Sequence, residues 1–110
     1  MIFRQLFEPI SSTYTYLIGC ESTGSALLID PVLPTWERDL QAVQALGLKL
    51  AYTLDTHIHA DHSTSAQKLK QVAGSKIAGP GLDHLPCTDV YIEHGQPFHL
   101  GSISLHPLHT

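Results

Sequence analysis

Along Ser12–Gly19 ("STYTYLIG") apolar and polar residues alternate, the period of two that sends successive side chains to opposite faces of a strand. Ser25–Asp30 ("SALLID") is a short apolar run, and "CESTG" between the two is turn chemistry, so the pair is expected to form an antiparallel hairpin. Pro31 and Pro34 end the second strand. From Thr35 the period lengthens: Trp36, Leu40, Val43 and Leu46 recur at steps of three and four, which predicts a helix capped by Thr35 and closed by Gly47 at its C′ position. "LKLAYTL" (Leu48–Leu54) then reads as a buried strand. Beyond it, Thr64 and Gln67 have capping-box spacing, and Ala66, Leu69 and Val72 line one face of a second helix ending at Gly74. "SKIAG", "DVYIE", "PFHL" and "SISLHPL" are short strand candidates separated by Gly, Pro and His turns. Strands alternating with helices predict an α/β fold, and nothing in the pattern suggests a repeat, a linker or a low-complexity segment.

Composition narrows what such a fold could do. With 110 residues and 43% hydrophobic content the chain suits one domain, residues 1–110, and is too short for two. Six Lys and Arg against ten acids give a net charge of −4, which leaves no basic stripe for nucleic acid and no cluster for anionic lipid. No apolar run approaches a membrane span, and "MIFRQLFEPI" lacks the build of a signal peptide, so a soluble, cytoplasmic protein is expected. Cys20 and Cys87 form no Cys-x-x-Cys pair and have no basic neighbour in sequence; buried, reduced thiols are expected rather than a disulfide or a nucleophile. Eight histidines in so short a chain direct attention to metal ligands.

Three of them lie in "LDTHIHADHSTS" (Leu54–Ser65), between the expected end of a strand and the expected start of a helix, where α/β proteins place ligands. His57 and His59 are separated by one residue, so in extended chain both imidazoles face one side and can reach one ion. Asp61 and His62 follow at the turn. Imidazole nitrogen and carboxylate oxygen suit zinc, iron or manganese, and the spacing allows one metal or two. In the competing reading Asp61 only caps the second helix. Asp55 either orients His57 or ends the strand. Trp36 is expected to face the core, Tyr14 and Tyr16 to pack on the sheet, and His84, His99 and His106 to lie at the surface or in turns.

"THIHADH", together with "FRQLFEPISSTYTYLIG" and "ALLIDPV", resembles the metallo-β-lactamase superfamily, in the branch that holds glyoxalase II thioesterases and, more closely, persulfide dioxygenases. The resemblance implies an αββα sandwich of two similar halves with metal at the strand ends between them, of which this chain corresponds to about the N-terminal half. It implies that His57 and His59 match first-site ligands, that Asp61 and His62 match the second-site pair of binuclear hydrolases, with Asp61 as the candidate catalytic carboxylate, and that Asp30 is a structural aspartate. The dioxygenases imply one Fe(II), with His57 at the matching ligand position, and oxidation of glutathione persulfide to sulfite; the thioesterases imply Zn(II) and thioester hydrolysis. Small-molecule persulfides, thiols or thioesters are the implied substrates.

The family pattern continues past "PLHT" to a further histidine ligand, so the expectation is an incomplete site, and a non-catalytic remnant or metal-binding module stands as the third reading. His109 matches the residue before that ligand. Ser65 stands where the family usually has Gly, and His94 where it commonly has an acid. A single helical layer on one sheet would leave the other face apolar, which predicts a cover: a homodimer or a separate partner.

Overall fold

The computed structural model describes residues 1–9, 12–55, 65–80, 88–92 and 96–106. Six strands form one sheet in sequence order: β1 (Ile2–Glu8), β2 (Thr13–Cys20), β3 (Ser25–Ile29), β4 (Lys49–Leu54), β5 (Lys76–Pro80) and β6 (Val90–Ile92). Neighbours from β1 to β3 are antiparallel; those from β3 to β6 are parallel. The predicted hairpin is therefore present as β2–β3, paired from Tyr16 with Ile29 to Cys20 with Ser25. The edge strand β1 pairs with β2 from Ile2–Gly19 to Glu8–Thr13.

Parallel neighbours need crossovers, and these are α1 (Trp36–Ala45), after a 3₁₀ turn over Leu33–Thr35, and α2 (Ser65–Ala73). Because the strands advance in one direction and crossovers keep one hand, both helices fall on the same face of the sheet. Leu17, Ala26, Leu28 and Leu50 meet Leu40, Val43 and Leu69 there, and Trp36 and Ala73 pack against that cluster. Trp36 thus faces the core as expected, with Lys68 Nζ 5.2 Å from its ring centroid.

Both helix ends differ in part from the sequence expectation. Thr35 occupies the N-cap of α1, but its hydroxyl makes no capping bond; it donates backwards to Val32 O at 3.4 Å. The preceding 3₁₀ turn, with Pro34 inside it, supplies the start instead. Gly47 does close α1, at φ 73°. On α2 the inward stripe is Ala66, Leu69 and Ala73, while Val72 is 51% exposed: the helix turns its Ala73 edge, not its Val72 edge, to the sheet.

Alternation along β4 is interrupted by a bulge at its first turn. Ala26 pairs with Leu50 but Leu27 pairs with Tyr52, so Ala51 is the extra residue. Leu50 and Thr53 consequently face the helices, while Tyr52 and Leu54 face the other side. There a two-stranded sheet, β7 (Phe98–Leu100) and β8 (Ile103–Leu105), packs Phe98 and Leu100 onto Ile18, Leu27 and Ala78, and Phe98 meets the Tyr52 ring edge-on at 4.9 Å. The second face, expected to be bare, is covered at its centre. At its β1–β2 end an aromatic strip remains: Phe3 stacks on Tyr16 at 5.8 Å, Tyr16 on Tyr14 at 6.4 Å, and Tyr14 meets Phe7 at 5.2 Å. Among the described residues, no helix is long and apolar enough to cross a membrane.

Candidate functional site

At one end of the sheet lie the C-termini of β3, β4 and β5 and the N-termini of α1 and α2, the arrangement that parallel strands with return helices impose. The histidine motif joins β4 to α2 at this end. His57, His59, Asp61 and His62 themselves lie outside the described residues, as do His84, Cys87, His94 and His109. Leu54, the last residue of β4, and Ser65, the first of α2, are the points between which the motif runs.

Backbone and side-chain bonds tie these strand ends together. Asp30, just after β3, adopts φ 54°, a left-handed conformation that Asp tolerates better than most side chains. In that conformation its N–H donates to Leu54 O at 2.7 Å, and its own carbonyl accepts from Thr15 Oγ1 at 3.1 Å. Asp55 N–H donates to Ala78 O at 3.3 Å. β2, β3, β4 and β5 are thus cross-linked one residue before the motif begins, which is what a site needs if its donors are to keep their positions.

Buried polar groups gather on the helix side. Asp39, in the first turn of α1, is fully buried; its Oδ1 accepts from Arg38 Nη2 at 2.9 Å and Nε at 3.2 Å, while Oδ2 has no partner. Burial pushes its carboxyl above the usual value of 3.8, against the opposing pull of Arg38. Arg38 Nη1 also donates to Phe7 O, so one guanidinium joins α1 to the edge strand. Thr53 Oγ1 and Ser65 Oγ are likewise buried without partners among the described residues.

At the opposite end of the sheet the structure holds a cluster that the sequence reading missed. Cys20 Sγ is 3.2 Å from both Ser22 Oγ and Ser102 Oγ, and Ser102 N–H donates to it at 3.4 Å. Hydrogen bonding from the Ser102 side chain first, then Ser22 and Thr23, holds this thiol below its ordinary 9.0, at about 5. "CEST" made two of those hydroxyls visible in the sequence; Ser102, 82 residues away, was brought in by the β7–β8 turn.

His99, on β7, has Nδ1 3.2 Å from Ser104 Oγ, a cross-strand contact at the exposed surface, as the sequence reading expected. Among the described residues no three His, Cys, Asp or Glu side chains come together as a metal site, so the donor set to weigh is the motif's own. Three imidazoles and a carboxylate, delivered at a tied-down strand end, fit a zinc or iron ion in donor chemistry.

Comparison with known proteins bears on the same stretch. The sequence profile of the metallo-beta-lactamase superfamily matches residues 9–108. Persulfide dioxygenase ETHE1 of Homo sapiens, named as mitochondrial, is 40% identical over 96% of this chain, and the cytoplasmic hydroxyacylglutathione hydrolase of Arabidopsis thaliana is 38% identical over 92% of it. The crystal structure of ETHE1 from Myxococcus xanthus superimposes with a TM-score of 0.88 at 45% identity, covering 96% of this chain and 47% of that one. The chain spans 41% of the human relative and 39% of the Arabidopsis one.

Proposed function

The chain belongs to the metallo-β-lactamase superfamily, and from that membership we propose that it serves a metal-dependent oxidation of glutathione persulfide to sulfite. The 40% identity to a persulfide dioxygenase across 96% of the chain carries this reading. In it, His57, His59, Asp61 and His62 are the residues that would hold Fe(II), with Asp61 also the catalytic carboxylate. The metal would supply the redox chemistry between oxygen and sulfur. The chain's own part is positional: the Thr15–Asp30–Leu54 bonds hold the end of β4, and the one-residue spacing of His57 and His59 would, in extended chain, turn both imidazoles to one side. A small-molecule persulfide is the proposed substrate.

A second reading, thioester hydrolysis with Zn(II), rests on the 38% identity to a hydroxyacylglutathione hydrolase. There zinc would act as a Lewis acid, and the same four residues would be its donors.

Metal analysis of the purified chain, paired with assays for sulfite formation and thioester cleavage, separates the two. Stoichiometric iron that is lost in His57→Ala, with sulfite produced from glutathione persulfide, is the expected outcome. Zinc with thioester cleavage would replace the first reading by the second. Full metal content retained by His57→Ala would overturn the ligand assignment in both.

A further inference from the structure

The chain leaves β3 through a conformation that few side chains tolerate. The β2–β3 ladder ends at Tyr16 and Ile29, and the next residue, Asp30, turns to φ 54°. A residue other than glycine stays in the left-handed region only where the bonds around it hold it there. Two such bonds are present, and they run to opposite neighbours. In an extended strand the N–H and C=O of one residue address the same neighbouring strand. At Asp30 the N–H donates to Leu54 O of β4 at 2.7 Å, while the C=O has swung to the β2 side. There it accepts at 3.1 Å from a side chain, the Oγ1 of Thr15, a residue only 1% exposed.

Thr15 thus catches the carbonyl that the turn takes out of the ladder. The same turn delivers the amide that holds Leu54, the last residue of β4. One residue on, Asp55 N–H donates to Ala78 O at 3.3 Å, and His57 follows two residues later in the chain. Peptide planes leave few free dihedrals over that distance, so a shift at Leu54 is passed on to the first histidine.

We propose that Thr15 is a positioning residue for the metal centre: its hydroxyl holds the Asp30 turn, and the turn holds the strand end from which His57 and His59 reach their ion. The role rests on the ligand assignment proposed above; the bonds do not.

Zinc ion titrated calorimetrically into the metal-free chain measures affinity, and amide hydrogen exchange at Asp30 measures the order of the turn with no metal present. Thr15→Val keeps the shape and removes the donor, whereas Thr15→Ser keeps the donor. Val43→Ala controls for stability alone, since Val43 is fully buried near the C-terminal end of α1, away from the motif. Thr15→Val is expected to bind zinc about tenfold more weakly, the lower end of what losing a ligand-orienting partner costs, and to exchange faster at Asp30. Thr15→Ser should bind as the wild type does, and Val43→Ala should melt earlier with its affinity intact. Equal affinity in Thr15→Val and wild type overturns the proposal alone. So does a loss in Val43→Ala as large as that in Thr15→Val, because overall stability then accounts for both. A wild-type chain that binds no zinc overturns the ligand assignment, and this role with it. Should Thr15→Val not fold, exchange in the wild type decides: rapid exchange at Asp30 leaves no fixed turn for Thr15 to hold and sinks the idea, and protection like that of Leu28 supports it.

Discussion

Asp39 shows how much of a residue's chemistry depends on where the chain buries it. On paper it is one of several charged residues in "WERDL", at a helix start where a carboxylate suits the macrodipole. In the fold it is fully buried, with Arg38 on one oxygen and nothing on the other. Its folded pKa lies above 3.8, so the folded chain holds the proton more readily than the unfolded chain. Stability from this group is therefore present below 3.8 and is lost as pH rises from there through the folded value. Asp39→Asn keeps an acceptor for Arg38 and removes the charge. The variant is expected to melt at or above the wild-type temperature at pH 7, with the difference closing as the pH is taken below 3.8. A lower melting temperature at pH 7 would show that the Arg38 pairing outweighs the cost of burial.

At the scale of elements, the β7–β8 turn is where backbone geometry and packing are both demanding. Gly101 sits at φ 56°, and a Cβ there would lie 2.8 Å from Thr23 Cγ2 and 2.9 Å from Cys20 Sγ. Gly24 has φ 70°, yet a Cβ would meet nothing within 4 Å. Gly24→Ala should thus cost only the left-handed strain of about 1–2 kcal/mol. Gly101→Ala should cost about 3 kcal/mol or more, strain and collision together, and should detach β7–β8 from the Cys20 end of the sheet. Denaturant unfolding of the two variants side by side tests this, and equal losses would contradict it. On the other side of the fold, α2 is fastened to the strands by Asp89: its carboxylate accepts from Ile77 N–H at 2.8 Å and from Lys70 Nζ at 2.7 Å. Those bonds hold its carboxyl below the usual value, the Ile77 bond foremost. Asp89 therefore stabilises the fold above 3.8, and that contribution is lost as pH falls through the folded value.

For the molecule as a whole, the two faces of the sheet have unequal cover. The helix face is closed by α1 and α2, and the centre of the other by β7–β8, but Phe3 is 50% and Phe7 and Tyr14 each 45% exposed. Strand addition at this edge is opposed by Arg4 and Arg38, which occupy the carbonyls of Phe3 and Phe7. Those two bonds lie at the strand edge and leave the rings of Phe3, Phe7 and Tyr14 about half exposed. Replacing both Phe3 and Phe7 by Ser should reduce the binding of an environment-sensitive hydrophobic dye to the folded chain. Half-exposed rings contribute little burial, so the same change should cost about 1–2 kcal/mol in stability. Unchanged dye binding would place the accessible apolar surface elsewhere.

By itself the sequence determined the α/β class, most of the strands and both helices, and the presence of metal-type donors between a strand and a helix. Each of these is written in local order: a period of two or near four, a Gly at a helix end, four ligand-type residues from His57 to His62. Tertiary structure alone decided the β4 bulge that turns Thr53 to the helices, the choice of Ala73 over Val72 on α2, and the edge strand β1. It alone brought Ser102 to Cys20 and buried Asp39. The physical reason is that periodicity says which side chains share a face, whereas burial, partners and pKa depend on what is laid against that face. Residues far apart in the chain supply that neighbour, and no local pattern in "LDTHIHADHSTS" or its flanks encodes which they will be.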